Sequence, residues 1–165
     1  MKVMISRAVF STLLLGSSVC QSAMVESPTE HECDRLISSF FMKLNAVERQ
    51  EQFSHLDIDT QYSVYICGNQ KVHPPTVYLA ESFSRQGKKI IPFLTDKLLS
   101  TKSDHSIRDI VYIFGWMQRL KIYDVASDVA LIELINNKTS EIHNEFWREH
   151  VKKEVAEIIS KPFLQ

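Results

Sequence analysis

The chain has 165 residues, 44% of them apolar and 24% charged, with a formal net charge of −1. That length suits one domain rather than two, and the near-neutral balance lacks the clustered Lys and Arg excess of a nucleic-acid-binding protein. Only 4 Gly and 5 Pro occur, too few for the turns of a many-stranded fold, and no low-complexity tract or charge block marks a long disordered segment.

The first residues carry Lys2 and Arg7, then a short apolar stretch centred on Leu13-Leu14-Leu15, then small residues. This pattern reads as a secretory signal over residues 1–22, cleaved before Ala23. Residues 23–165 are then a single exported domain, periplasmic or secreted. Neither the leader nor any later segment reaches the roughly 20 apolar residues of a membrane span. Cys20 offers a rival reading: Leu15 to Cys20 loosely resembles a bacterial lipobox, with Val19 where a small residue belongs, which would make Cys20 a lipid anchor. Cys33 and Cys67 remain after cleavage in either case. In an oxidising compartment they can pair; two separately buried thiols are the alternative.

After the leader, apolar residues recur at helical spacing throughout. Ser27-Pro28-Thr29-Glu30 reads as a helix start with Ser27 as N-cap, followed by Leu36, Ile37, Phe40, Phe41 and Leu44. Asn45-Ala46-Val47-Glu48 is a second capping box, so a new helix carries Phe53 and Leu56. Asp57 or Asp59 caps the next, which runs through Tyr62, Tyr65 and Ile66 and is expected to stop at Gly68. His73-Pro74-Pro75 is a rigid connection, with Pro75 suited to the first turn of a helix carrying Tyr78, Leu79 and Phe83 up to Gly87. Ile90 to Leu99 form a helix with Pro92 in its first turn, because deeper in a helix proline breaks a bond and clashes.

The segment from Asp104 to Leu120 is apolar nearly all round, as a helix buried between neighbours on two sides must be. Gly115 in its middle costs about 1 kcal/mol against Ala, which close approach of another helix would offset. Asp124 is expected to cap a helix with Val129, Leu131, Ile132 and Ile135 on its buried side, closed by Asn136-Asn137. Ser140 then starts the last helix, carrying Ile142, Phe146, Trp147, Val151, Val155, Ile158 and Ile159, up to Pro162. The expected fold is all-α, with about seven helices arranged as a short stack of antiparallel helix pairs or as an irregular bundle.

Ile90-Ile91-Pro92-Phe93-Leu94 to Leu98, then Asp104-His105-Ser106-Ile107-Arg108, then the apolar helix to Leu120, resemble one HEAT-type helical repeat over residues 88–120. The resemblance implies that Asp104 caps the turn, that Arg108 reaches along it, and that a stack of such repeats offers a curved surface to a partner protein.

The chemical inventory is sparse. The six histidines form no His-Glu-x-x-His pattern. His143 and His150 on one helix face would lie about 10 Å apart along the axis, too far for one metal with bonds of about 2 Å. In His31-Glu32-Cys33-Asp34 adjacent helical positions point apart. There is no nucleophile elbow and no phosphate-binding glycine loop. Asp57/Asp59 and Asp124/Asp128 have the positions of helix caps. No catalytic, metal or cofactor site is therefore assigned. Two turn regions remain as candidate contact sites, one with His73 and Tyr78, the other with Tyr123 and Asp124. The leading expectation is a non-enzymatic exported protein that binds another protein, as an envelope adaptor, inhibitor or toxin-neutralising partner. The alternative is an exported hydrolase or small-ligand carrier, which requires the His/Tyr/Asp groups near His73 and Tyr123 to converge on one pocket.

Overall fold

Side-chain caps open six of the eight α-helices found among residues 28–163, the part of the chain that the computed structural model describes. The leader and Cys20 lie outside those residues. Thr29 caps α1 (Glu30–Leu36) and Glu32 reaches back to the Thr29 amide. Asn45 and Glu48 form the same reciprocal pair at α2 (Ala46–His55). Asp57 caps α3 (Ile58–Lys71). Ser103 caps α6 (Asp104–Arg119), Asp128 caps α7 (Val129–Ser140) and Asn144 caps α8 (Glu145–Ile159). In each case the cap oxygen takes an amide that the first turn leaves without an intrahelical partner. The helices α4 (Tyr78–Ser84) and α5 (Ile91–Ser100) have no such cap, and Pro92 occupies the first turn of α5 as expected. The fold is all-helical, with no strand among the described residues.

Several boundaries differ from the sequence reading, and each difference has a local cause. The first capping box uses Thr29 and Glu32, so Pro28 precedes the helix rather than opening it. Asp124 does not cap α7; a short 3₁₀ turn (Val125–Ser127) intervenes and Asp128 takes that role. Asn136 and Asn137 do not end α7, which runs on to Ser140, and α8 starts at Asn144 instead of Ser140. Pro75 stays outside α4. Between α1 and α2 a π-helical turn (Ile37–Phe41) holds the adjacent Phe40 and Phe41 in the core, edge to face at 5.1 Å.

Gly68 does not stop α3, which continues to Lys71. Its role is steric. A Cβ there would lie 2.3 Å from Thr76 Oγ1 and 2.6 Å from the Phe41 ring, and both residues are buried. Overpacking costs roughly 1–3 kcal/mol, against a helix-propensity gain of about 1 kcal/mol for Ala over Gly. Gly68→Ala is therefore expected to lower stability by roughly 1–2 kcal/mol, read as a lower urea midpoint at unchanged m. A higher midpoint would show that the neighbours yield freely.

The even-numbered helices follow one another in space: α2 packs on α4, α4 on α6 and α6 on α8, while α1 packs on α3 and α5 on α7. Helix α6 is the centre, meeting α4 and α8 most extensively and also α3, α5 and α7. Ile107, Ile110, Val111, Ile113, Phe114 and Met117 are accordingly all fully buried. Gly115 allows the close approach to α8: the Glu154 carboxylate lies directly over it, paired with Arg119 at 2.6 Å. Cys33 on α1 and Cys67 on α3 are joined as a disulfide.

Candidate functional site

The four residues singled out from sequence lie at two ends of the fold. His73 is exposed in the link between α3 and α4. Tyr78 opens α4, and its hydroxyl is buried without a hydrogen-bond partner. This end adjoins the first turn of α6, where the Gln70 amide donates to Ser106 Oγ at 3.4 Å. Tyr123 and Asp124 follow the other end of α6, and its 16 residues span about 24 Å at 1.5 Å each. The structure therefore places His73 and Tyr123 toward opposite ends of α6.

Both Tyr123 and Asp124 are engaged locally. The Tyr123 hydroxyl donates to Asp128 Oδ2 at 2.5 Å, which pushes its pKa up to about 12. Asp124 accepts from Ser127 Oγ at 2.6 Å and from Gln118 Nε2 at 3.1 Å, the former contributing most to holding its carboxyl below the ordinary range. Gln118, itself buried, also donates to the Lys161 carbonyl and accepts from the Ala126 amide. This network ties the α6–α7 link to the end of α8.

At the other end, the roles that the HEAT resemblance assigns are distributed differently. Ser103, not Asp104, caps α6. The Asp104 carboxylate instead accepts the amides of His143 at 3.1 Å and Asn144 at 2.8 Å, across from the start of α8. A cavity of about 240 Å³ beside this turn is lined by Lys102, Glu141 and His143. His143 precedes α8, so it does not share a helix face with His150. The Asn144 amide is the main cause of the lowered Asp104 pKa. A depressed carboxylate contributes stability that is full above the ordinary Asp range and is lost as pH falls through its lower folded value. Asp104→Ala is expected to cost roughly 1–2 kcal/mol near neutral pH, the scale of a helix cap, and to lose that acid limb. Urea unfolding at several pH values checks it; parallel pH profiles for variant and parent would refute the assignment.

A different group of side chains forms the most distinctive surface. Helix α6 presents His105, Arg108 and Tyr112, one turn apart, and α8 presents Phe146, Trp147 and His150. The Arg108 guanidinium lies over the Trp147 ring at 4.3 Å. Around that indole stand the edges of His105 at 5.6 Å, Phe146 at 4.9 Å and His150 at 6.2 Å. Phe146 and His150 are nearly parallel, at 8°, and His150 Nε2 is hydrogen-bonded to the Tyr112 hydroxyl. Phe146 is 68% exposed. Of the aromatic residues expected on the last helix, Phe146 faces outward and Trp147 is half-buried.

Beneath this face lies Asp109, 1% exposed. Arg108 donates to its Oδ1 from Nε at 2.9 Å and from Nη2 at 2.7 Å. The other oxygen, Oδ2, is buried with no hydrogen-bond partner, as is Asn69 Nδ2 on α3. Burial pushes the Asp109 carboxyl above its ordinary range, against the opposing pull of Arg108 and, more weakly, the Gln70 and Asn69 amides. The Tyr65 hydroxyl donates to the Asp109 carbonyl at 3.0 Å. The sequence signal for this face was the 3- and 4-residue spacing of His105, Arg108 and Tyr112, matched by Phe146, Trp147 and His150 on another helix.

Among the described residues no three His, Cys, Asp or Glu side chains are placed to hold a metal ion, and no helix is long and apolar enough to cross a membrane. Comparison with family models, curated proteins and solved structures returned no match.

Proposed function

We propose that this chain is an exported, non-enzymatic helical protein that binds another protein through the α6/α8 face, as an envelope adaptor, inhibitor or toxin-neutralising partner. The observation that carries this reading is Phe146, exposed at 68% inside a cluster of Trp147, Tyr112, Arg108, His105 and His150. Trp, Tyr and Arg are the side chains in which interface energy concentrates, and here neighbouring rings and a buried ion pair hold them in place. Ordering cost on binding is correspondingly low. Export is supported by the basic and apolar leader and by the Cys33–Cys67 bond, a linkage suited to oxidising compartments. The outer faces of α6 and α8, which pack on each other at the centre of the fold, leave this cluster open for docking.

Cross-linking of the tagged chain in its own cells, with Phe146→Ala/His150→Ala as the test variant, decides the matter. Val47→Ala on α2, also exposed, serves as control. A protein recovered by the parent and by the control, and lost by the test variant, is the expected result. Equal recovery by the test variant overturns the assignment of the face, and small-molecule turnover with no protein recovered overturns the class.

A further inference from the structure

We propose that Asp109 is a proton-operated latch: its ionised carboxylate clamps Arg108 against Trp147, and protonation on the unpaired oxygen releases the guanidinium from the indole. The latch is built from three contacts. Two of the three Arg108 guanidinium nitrogens, Nε and Nη2, converge on the single oxygen Oδ1. The second oxygen, Oδ2, is buried with no hydrogen-bond partner at ordinary distance, which leaves it the open position for a proton, although the Asn69 and Gln70 amides act on the carboxyl. The same guanidinium covers the Trp147 face at 4.3 Å. The carboxylate and the indole thus hold one cation between them.

The energetics favour release once the carboxyl is neutral. Asp109 supplies the one ion pair that Arg108 makes among the described residues, and the Arg108 side chain is only 11% exposed. A cation at that depth without its counter-ion is strongly disfavoured, and its long side chain can carry the charge outward to water. Burial raises the proton affinity of Asp109, so the change falls at milder acidity than for an ordinary aspartate.

The groups acting on Asp109 from its surroundings are Arg108 on α6 and the neutral Asn69 and Gln70 amides on α3. Tyr65 on α3 and Tyr112 on α6 belong to the same network, and neither phenol changes charge in acid. From α8 the contact to Arg108 is the uncharged Trp147, while the Glu154 carboxyl, also raised by burial, acts on Tyr112. His105 and His150 lie against Trp147, so each must be replaced as a control. Release would bare one face of Trp147 and enlarge the aromatic surface in mild acid. This device rests on the geometry of Asp109, Arg108 and Trp147 and stands apart from the question of what the face binds.

The test is a nuclear magnetic resonance titration of the folded chain from about pH 7 to about pH 4. It follows the Asp109 carboxyl carbon and the exchange rate of the Arg108 Nε–H with water. The expected result is a single shared midpoint, with Nε–H exchange rising about tenfold or more once the charge-assisted bond is lost. His105→Gln and His150→Gln should leave that midpoint in place, and Asp109→Asn should remove the transition. The latch is overturned if Asp109 titrates while Arg108 exchange stays unchanged, or if Asp109 does not titrate while the chain is folded. It is equally overturned if the Arg108 transition survives Asp109→Asn or disappears with either histidine. Should Asp109→Asn not fold, the shared midpoint in the parent chain, with its histidine controls, decides alone.

Discussion

Replacing Cys33 and Cys67 together by Ala is expected to lower the unfolding free energy by about 4 kcal/mol and the melting temperature by roughly 10–15 °C. The bond joins positions 34 residues apart. In the chain-entropy account, a cross-link removes freedom from the unfolded chain in proportion to the logarithm of the loop it closes, which gives this magnitude. The folded side of the balance points the same way. Helix α1 has only 7 residues, far below the length at which a helix holds itself together in water. Apart from the disulfide, its polar ties to α3 are the pairs from Lys71 to Asp34 at 2.7 Å and to Glu30 at 3.5 Å. Both acids are largely exposed, and such pairs contribute little. Loss of the bond should therefore loosen α1 first, exposing the Phe40–Phe41 pair that follows it. Thermal melting with and without reductant reads the effect, and amide hydrogen exchange locates it. A melting shift under about 3 °C would mean that the packing of Phe40 and Phe41 alone fixes the N-terminal helix.

The sequence made some of this legible and hid the rest for physical reasons. Helix α6 could be read from its own residues, because an apolar pattern that wraps a helix has only one low-energy outcome, burial between neighbours. Gly115 likewise marked a close helix approach, and the neighbour proved to be α8 bringing the Glu154 carboxylate. Caps were legible as a class and ambiguous in position. Thr29 with Glu32 and Ser27 with Glu30 satisfy the same spacing rule, as Asp124 and Asp128 both stand before α7, and the choice depends on where the chain must turn. Gly68 misled because glycine near the end of a helical pattern usually marks a stop, whereas here the missing Cβ makes room for Phe41 and Thr76. The spacing of His105, Arg108 and Tyr112 was visible in the sequence, but their pairing with α8 was out of reach. Periodicity tells which side of a helix is apolar, not which helix it meets, and the contacts from Asp104 to His143 and from Tyr112 to His150 span 39 and 38 positions. The histidines and arginine of the face also carry no local motif.

Phe114→Ala and Phe146→Ala make the same chemical change at two sites and should separate fold from surface. Phe114 is fully buried in the middle of α6, so its truncation loses the transfer energy of the ring and leaves a cavity, costing roughly 3–5 kcal/mol. Phe146 is 68% exposed, and its ring contacts are with Trp147 at 4.9 Å and His150 at 6.2 Å. A pair of rings contributes about 0.5–1.5 kcal/mol when well packed, and less where water covers most of one partner. Phe146→Ala should therefore cost under about 1 kcal/mol. Urea midpoints with a common m give both numbers. The contrast bears on function because a large aromatic side chain held in water by a rigid cluster, and contributing little to stability, has no folding reason to be there. If Phe146→Ala proves as costly as Phe114→Ala, the outer face of α8 is part of the fold, and the case for it as a docking surface falls with that result.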